Sequence, residues 1–142
     1  MEINFFLKGI KEIEFRLEYN FDYDSIKVED IFFEMNQHAK PDIEKNEIQV
    51  STFVLIKYGN SMIELARQGV MLSFFIDSVK DLVKESETGE LEVTSNELIF
   101  TLFSVSIGTL RGLLYKNLKG TKIENIILPL VPRDMILKKN KK

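Results

Sequence analysis

The sequence of 142 residues contains no cysteine and a single histidine, His38. Without cysteine, disulfides and metal sites built from thiolates are excluded, and the chain is compatible with a reducing compartment such as the cytoplasm. Residues 1–9, MEINFFLKG, lack the basic segment, apolar run and small-residue cleavage site of a signal peptide. The proportions of hydrophobic residues, 44%, and charged residues, 29%, are typical of one globular domain with a substantial core.

The single histidine is a poor candidate for a metal ligand. Glu34, His38 and Asp42 are four residues apart, which is the spacing of metal ligands on one helix face. Pro41 and the alternating pattern around it argue against a helix there. We therefore interpret His38 as an exposed loop residue and expect no metal site.

Other polar groups are equally poor candidates for catalysis. Glu12, Glu14 and Glu18 lie on one face of a predicted strand and are close enough in sequence to pair for acid–base work. A solvated edge or a docking surface explains these carboxylates more simply. Gly108 and Gly112 do not follow a strand, so they form no phosphate-binding loop. We expect no catalytic residue and no cofactor, and the chain is not predicted to be an enzyme.

The charge of the chain is distributed unevenly. The formal net charge is −3, but residues 133–142 carry five basic side chains against one acidic one, a local +4 that leaves −7 for the rest. An acidic body argues against nucleic acid as a partner, because phosphates need a positive surface. The sequence predicts one domain over residues 1–132, followed by a basic, flexible tail over residues 133–142.

Alternation of apolar and polar residues, the pattern of a half-buried strand, recurs along the first half of the chain. The predicted strands cover residues 3–21, with a bend near Gly9, then 26–35, 47–58 and 62–76, with a loop at Pro41 and Asp42. Consecutive strands with short connections favour an antiparallel meander. The charged residues 77–92 are predicted to form a short helix or a crossing loop.

A long apolar helix is predicted from Thr94 to Lys119. Thr94 and Glu97 have capping-box spacing, and Gly120 provides the left-handed stop. The apolar side chains cover roughly 220° of the helix, about twice the arc that a surface helix needs. The uncharged stretch before Arg111 has about 13 residues, which is short of the ~20 that a bilayer requires, so we expect no membrane insertion.

The rest of the helix surface carries small residues at every fourth position, which allows another backbone to approach closely. We therefore predict that one side of the helix packs on the sheet and another side on a second subunit. The candidate interface residues are Ser104, Gly108, Arg111, Gly112 and Tyr115. We expect Arg111 to neutralise an acidic neighbour or a carbonyl at that contact.

The order of elements, four antiparallel strands, a crossing segment and a long helix followed by Leu-Pro, resembles the SecB family of chaperones. Three local sequences carry the resemblance: the opening FFLKG at residues 5–9, QGVMLSFFI at residues 68–76, and Ile-Leu-Pro at residues 127–129. The resemblance covers essentially the whole chain. It implies an α+β fold and a cytoplasmic dimer or dimer of dimers. It also implies binding of unfolded polypeptides, including preproteins for export, in an apolar groove without nucleotide hydrolysis.

One departure from the family bears on the partners. The Lys-Asp-x-Ser-Phe-Glu opening of the family reads Lys-Gly-Ile-Lys-Glu-Ile here, so Gly9 replaces the aspartate. Because this acidic opening contributes to docking on the SecA motor, SecA is a doubtful partner. Two alternatives to a general chaperone stay open: a chaperone dedicated to one client, such as an antitoxin, and an oligomeric module without a client.

Flexible or planar apolar side chains are suited to binding many client sequences. The candidates for the walls of a client groove are Met71, Phe74, Phe75 and Ile76, with Leu98, Phe100 and Phe103 opposite them. The competing interpretation is that these residues belong to the core or to subunit packing. A large exposed apolar patch would favour the groove, because such patches are unusual unless they are functional.

Overall fold

The structure is a computed structural model and describes residues 4–140 of the chain. The four long strands are β1 (Phe5–Leu17), β2 (Ile31–Asp42), β3 (Glu47–Tyr58) and β4 (Ile63–Ile76). A short hairpin, β5 (Val83–Glu85) and β6 (Leu91–Val93), precedes the long helix α1 (Asn96–Leu118) and the final helix α2 (Arg133–Asn140). Single 3₁₀ turns cover Tyr23–Ser25, Val28–Asp30 and Val79–Asp81.

The long strands form one antiparallel sheet in the order β1-β4-β3-β2. This confirms the predicted α+β fold with a four-stranded antiparallel sheet and a long helix. The strand order differs from the predicted meander, because β1 pairs with β4 and not with β2. Residues 18–30 cross the end of the sheet, where Phe21 packs edge-on against Tyr23 and Tyr58 at centroid distances of 5.3 and 5.5 Å. A long connection of this kind gives Greek-key order.

Strand β2 begins and ends later than the sequence pattern predicts. It covers Ile31–Asp42, whereas residues 26–30 belong to the turns of the connection. Pro41, predicted to mark a loop, lies within the strand and pairs with Ile48 of β3. Proline is tolerated here because β2 is an edge strand, so its missing N–H interrupts no second ladder.

The core lies between one face of the sheet and α1. In β3 every second residue from Ile48 to Ile56 is buried, and these side chains face the helix. The largest fully buried side chains are Phe74, Phe103, Ile48, Ile56, Leu65, Leu72, Ile76, Ile99, Leu102, Leu110, Leu114 and Leu118. The Gln37 side-chain amide also ties the sheet to the helix, because it donates to the Phe103 carbonyl at 3.2 Å.

Helix α1 begins one residue later than predicted and ends as predicted. Ser95 is the N-cap, and its hydroxyl accepts a hydrogen bond from the Leu98 N–H at 3.2 Å. Thr94 instead donates to the Leu82 carbonyl at 3.1 Å, which fixes the crossing segment to the helix start. Past the helix end Gly120 has φ +84°, the left-handed conformation that favours glycine.

The segments on either side of α1 are more regular than a loop and a tail. Residues 77–92, predicted to form a short helix or a crossing loop, contain a 3₁₀ turn and the β5–β6 hairpin and no α-helix. After α1 the chain turns back along the helix, and residues 126–132, the C-terminal strap, lead into α2. Residues 133–140, part of the predicted tail, form α2, and its Ile136 is buried against the core. The end of the predicted tail, residues 141–142, lies outside the described residues.

Candidate functional site

Strand alternation separates the four β4 residues that were predicted to line a groove. Phe74 and Ile76 point toward α1 and are buried in the core. Met71 and Phe75 lie on the opposite, outer face of the sheet, where Phe75 stacks on Phe6 at a centroid distance of 5.1 Å. The four residues therefore line two different faces of the sheet.

The three predicted wall residues of α1 are also separated. Leu98 and Phe103 are buried between the helix and the sheet. Phe100 lies at the edge of the core, half-buried, with the Arg133 guanidinium 4.7 Å from its ring centroid. The structure therefore brings Phe74, Leu98 and Phe103 into one closed core rather than an open groove. Of the seven predicted wall residues, Met71, Phe75 and Phe100 stay predicted client contacts.

The predicted interface residues of α1 lie along the side of the helix that faces away from the sheet. Gly108 and Gly112 are exposed, and a methyl group built on either one would have no atom within 4 Å beyond its own helix turn. Tyr115 is 45% exposed, with the Lys119 ammonium 5.1 Å from its ring centroid. We call this side, defined by Val105, Gly108, Gly112 and Tyr115, the open face of α1.

Arg111 has a partner within its own chain. Its guanidinium donates to the carbonyl of Leu128 at 2.9 Å and to the carbonyl of Pro129 at 3.0 Å. The sequence places an acidic neighbour or a carbonyl of a subunit contact beside Arg111, whereas the carbonyls that it binds in the structure belong to the C-terminal strap of the same chain. Two bonds from one guanidinium fix the Leu-Pro segment against the helix.

The strap and the start of α2 expose apolar side chains beside the open face. Leu130 is 86% exposed, Ile127 56% and Met135 51%. A cavity of about 180 Å³ separates the strap from α1 and is lined by Ser104, Ile107, Arg111, Leu130, Val131 and Ile136. We call this region, from Phe100 along the strap to Met135, the strap surface. The sequence prediction missed it, although the apolar run IILPLV, which follows the helix without a strand pattern, was a usable signal.

The acidic residues of β1 have structural partners. The Glu12 carboxylate accepts hydrogen bonds from Gln68 at 2.9 Å and from Asn117 at 2.5 Å, which joins β1, β4 and α1. The Glu14 carboxylate pairs with Arg67 at 3.4 Å; Glu64, and to a smaller extent Glu14, raise the pKa of that guanidinium. These contacts favour a structural role over acid–base catalysis.

Glu47 lies on the outer face of the sheet, and its charged side chain is nevertheless almost fully buried. Glu47 pairs with the Lys8 ammonium at 3.2 Å, across the intervening strand β4. Burial alone would raise the pKa of Glu47. The hydrogen bond and positive charge of Lys8, with hydrogen bonds to Gln49 and Ser73, outweigh that effect and lower the pKa below its ordinary value of 4.5.

Two further features lie near the edge strand β2: a cavity and the single histidine. A cavity of about 420 Å³ lies between the edge of β2, at residues 38–41, and the hairpin residues Glu90 and Leu91. His38 lies on β2 and is exposed, so the predicted loop position is wrong although the predicted exposure is correct. Within residues 4–140 no cluster of three or more histidine or carboxylate side chains is arranged to hold a metal ion.

Helix α1 is long and apolar enough to cross a membrane by length and composition alone. The core helix of a soluble protein meets the same criteria. Here nine residues of α1, among them Leu102 and Leu110, are buried against the sheet and its flanking segments. The apolar character of the helix is therefore largely accounted for by the core.

Neither the known protein families nor the curated proteins contain a match to this sequence. A solved structure does resemble it: the Mycobacterium tuberculosis Rv1957 SecB-like chaperone in complex with a ChAD peptide from the Rv1956 HigA1 antitoxin. The two chains are 12% identical, and they superpose with a TM-score of 0.56 over 90% of this chain and 88% of the other. The resemblance predicted from the order of elements is thus confirmed at the level of structure: the chain has a SecB-like fold.

Proposed function

We propose that the protein is a chaperone that binds non-native polypeptide without hydrolysing nucleotide. The observation that carries the proposal is the strap surface, on which Leu130, Ile127 and Met135 remain exposed beside α1 in a SecB-like fold. Single exposed apolar side chains are common on folded proteins, but a group of them on one surface favours a binding role.

The binding mechanism needs no acid, base or metal. An unfolded chain exposes apolar side chains, and each Å² of apolar area removed from water stabilises a complex by roughly 25 cal/mol. The exposed leucine, isoleucine and methionine of the strap surface provide area of this kind, and the flexible Met135 suits varied client sequences. The Phe100 ring, held under Arg133, adds an aromatic wall at one end.

A second copy of the chain is the proposed partner of the open face of α1. Glycine within a helix costs about 1 kcal/mol relative to alanine, and no neighbour within the described part of the chain requires Gly108 or Gly112. Close approach of another helix backbone would explain both glycines. The proposal is a homodimer or a dimer of dimers in the cytoplasm. SecA is left out of the proposal because Gly9 stands where the acidic docking residue is expected.

A chaperone dedicated to one client is the second candidate function. The observation that favours it is the Rv1957 neighbour, which was solved with a peptide from an antitoxin. The strap surface is short, extending from Phe100 to Met135 along one helix flank, and would accommodate a short extended segment. A dedicated chaperone would bind one such segment and ignore most other unfolded proteins.

The experiment that tests the proposal is suppression of aggregation. Several urea-unfolded model proteins are diluted into the purified chain at stoichiometric ratio without nucleotide, and light scattering is followed. We expect the scattering to fall and the complex to co-elute on gel filtration. Leu130→Ser should weaken the suppression several-fold. Val28→Ser is the matched control, because Val28 is 77% exposed but lies in the connection between β1 and β2.

The outcomes separate the candidate functions. Suppression with many unfolded proteins supports a general chaperone, and suppression with a single one supports the dedicated form. If scattering is unchanged with every protein tested, holding activity is refuted, and a structural module becomes the better explanation. Equal effects of Leu130→Ser and Val28→Ser would remove the strap surface as the client site.

A further inference from the structure

The outer face of the sheet, which points away from α1, carries a group of apolar side chains. Phe75 stacks on Phe6, which is 57% exposed. Farther along β1, Ile13 is 42% exposed, and its Cβ lies 3.4 Å from the position of a methyl group built on Gly69. The Phe53 ring reaches the same position from β3, so Ile13 and Phe53 lie on either side of the glycine. We call this surface the outer patch; it consists of Phe6, Ile13, Phe53, Met71 and Phe75.

The glutamates of the outer face already have basic partners within the chain. The pairs are Glu47 with Lys8, Glu34 with Lys57, and both Glu14 and Glu64 with Arg67. Each of these carboxylates is therefore neutralised by a neighbouring cation and adds little to the charge that the face presents to a partner.

Two exposed cations of β1 beside the outer patch have no such partner. Among residues 4–140, no carboxylate forms an ion pair with Lys11 or Arg16. Arg16 lies directly opposite Arg67 in the β1–β4 register, and like charges in that position repel each other. The charge left unpaired at the outer patch is thus positive, although the net charge of the chain is −3.

Charge complementarity indicates an acidic partner for this surface. Lys11 and Arg16 flank Ile13 along β1, and at about 3.3 Å per residue they are on the order of 15 Å apart. A partner segment with carboxylates on either side of apolar side chains matches that arrangement. Its carboxylate beside Arg16 would also offset the repulsion from Arg67.

A nucleic acid fits the outer patch less well than an acidic protein segment does. Binding of nucleic acid depends on several cations that each neutralise a phosphate. Here Glu14 lies between Lys11 and Arg16 along the strand, so a continuous row of phosphates would meet a carboxylate. The apolar side chains beside the cations also favour a protein surface, because they need apolar groups to cover them.

We propose that the outer patch, together with Lys11 and Arg16, is a docking surface for an acidic and apolar segment of a partner protein. Carboxylates of the partner pair with the two cations, and apolar side chains between them pack on Ile13 and its neighbours. The outer patch lies on the opposite side of the sheet from the strap surface, so docking leaves the strap surface free. The inference goes beyond the proposed function and does not depend on it.

The test measures binding of a labelled peptide that repeats the sequence Glu-Glu-Leu-Phe to the full chain, by fluorescence anisotropy. We expect Lys11→Glu with Arg16→Glu to weaken binding by about tenfold or more. Lys27→Glu with Lys80→Glu is the control, because it changes the net charge equally at exposed lysines outside the sheet, and it should bind as the wild type does.

The charge variant should keep its fold. Within residues 4–140, neither Lys11 nor Arg16 has an ion pair to lose, and Arg16→Glu places a carboxylate opposite Arg67. Its melting temperature should therefore equal or exceed that of the wild type, so that weaker binding reports the docking surface rather than unfolding.

The apolar contribution is tested separately. Ile13→Ser should weaken peptide binding about fivefold, because it removes the apolar side chain between the two cations. Val28→Ser, at a residue that is 77% exposed in the connection between β1 and β2, should leave binding unchanged. Equal binding by these two variants would refute contact between the peptide and the outer patch.

The remaining outcomes also decide the inference. If the wild type does not bind the peptide, or if both pairs of charge substitutions weaken it equally, the docking surface is refuted. Displacement of the peptide by oligouridylate would show a phosphate site instead. If the same peptide with glutamine in place of glutamate, or a urea-unfolded protein, competes equally well, the surface binds clients without regard to charge, and the inference is overturned. Failure of the aggregation assay would remove the chaperone proposal and leave this one standing.

Discussion

The two sides of α1 differ in whether packing within the chain accounts for the residues found there. Leu102 and Leu110, on the sheet side, are fully buried, and the core of the same chain accounts for them. Gly108 and Gly112, on the open face, weaken the helix, and none of the residues that the structure describes requires a small residue at these positions. The sheet side is therefore explained by the folding of this chain, whereas contacts among the described residues do not explain the glycines of the open face.

The largest effect that distinguishes the two sides is expected for loss of a buried leucine. Leu102→Ala should lower the free energy of unfolding by about 3 kcal/mol, because it removes buried apolar area and leaves a cavity. Val105→Ala, on the open face at 39% exposure, should change it by less than about 0.5 kcal/mol. Urea denaturation of both variants provides the measurement.

The opposite result of that comparison would also be informative. If Val105→Ala destabilises the protein as much as Leu102→Ala, and the effect grows with protein concentration, the open face is buried in an assembly under the conditions used. If the effect does not depend on concentration, the assignment of the two sides is wrong.

The strongly periodic parts of the fold were predictable. Strands β3 and β4, and helix α1 with its stop at Gly120, follow from alternation or helical spacing sustained over many residues. The pairing of β1 with β4 was not predictable, because alternation identifies a strand but carries no information about its neighbour. The start of β2 was missed because residues 26–30 continue the apolar pattern, although they belong to the connection that ends in the 3₁₀ turn Val28–Asp30.

The residues of the candidate site were harder to predict from the sequence than the fold was. Met71 and Phe75 are separated from Phe74 by the two-residue period of a strand, but the run VMLSFFI is apolar on both faces and hides that period. The strap surface depends on Arg111 meeting carbonyls 17 and 18 residues away, and sequence spacing gives no indication of such a contact. Burial, which distinguishes a groove from a core, is a property of tertiary packing.

Gly69 differs from the glycines of the open face, because a neighbouring side chain in the same chain requires a small residue there. A methyl group on Gly69 would lie 2.5 Å from Cε1 of Phe53, whose ring packs across β4. Gly69→Ala should therefore cost about 2 kcal/mol, since the ring must move. Gly9→Ala on β1, where nothing lies within 4 Å, is the control and should be nearly neutral.

The steric origin of the Gly69 effect can be checked in a double variant. Phe53→Leu removes the ring, so Gly69→Ala should cost less than about 1 kcal/mol in that background. An unchanged cost there, measured by urea denaturation, would show that the ring is not the reason for the glycine.

Glu47 is a charged residue whose ionised form is stabilised by partners within the same chain. Its pKa is lowered in the folded state, so its ionised form stabilises the fold above the ordinary pKa of 4.5, and that stability is lost as the pH falls through the folded pKa. Glu47→Gln should therefore destabilise the protein by about 1 kcal/mol at pH 7 and by less at pH 3. Thermal unfolding from pH 7 to pH 3 checks the trend, which a constant difference would contradict.

Substitution of Gly112 is expected to have the smallest effect on the stability of the single chain. It is also the most direct test of whether the open face contacts a second subunit. No atom among the described residues opposes a side chain there, so Gly112→Ala should raise helix stability by at most about 1 kcal/mol. In an assembly with closely packed helices, Gly112→Leu should instead separate the subunits, while Gly112→Ala should have an intermediate effect. Sedimentation at micromolar concentration measures the mass, and circular dichroism checks that α1 is intact. If the mass of both variants equals that of the wild type, no second helix lies against Gly112, and the two glycines would have to be explained by the client or by the free chain alone.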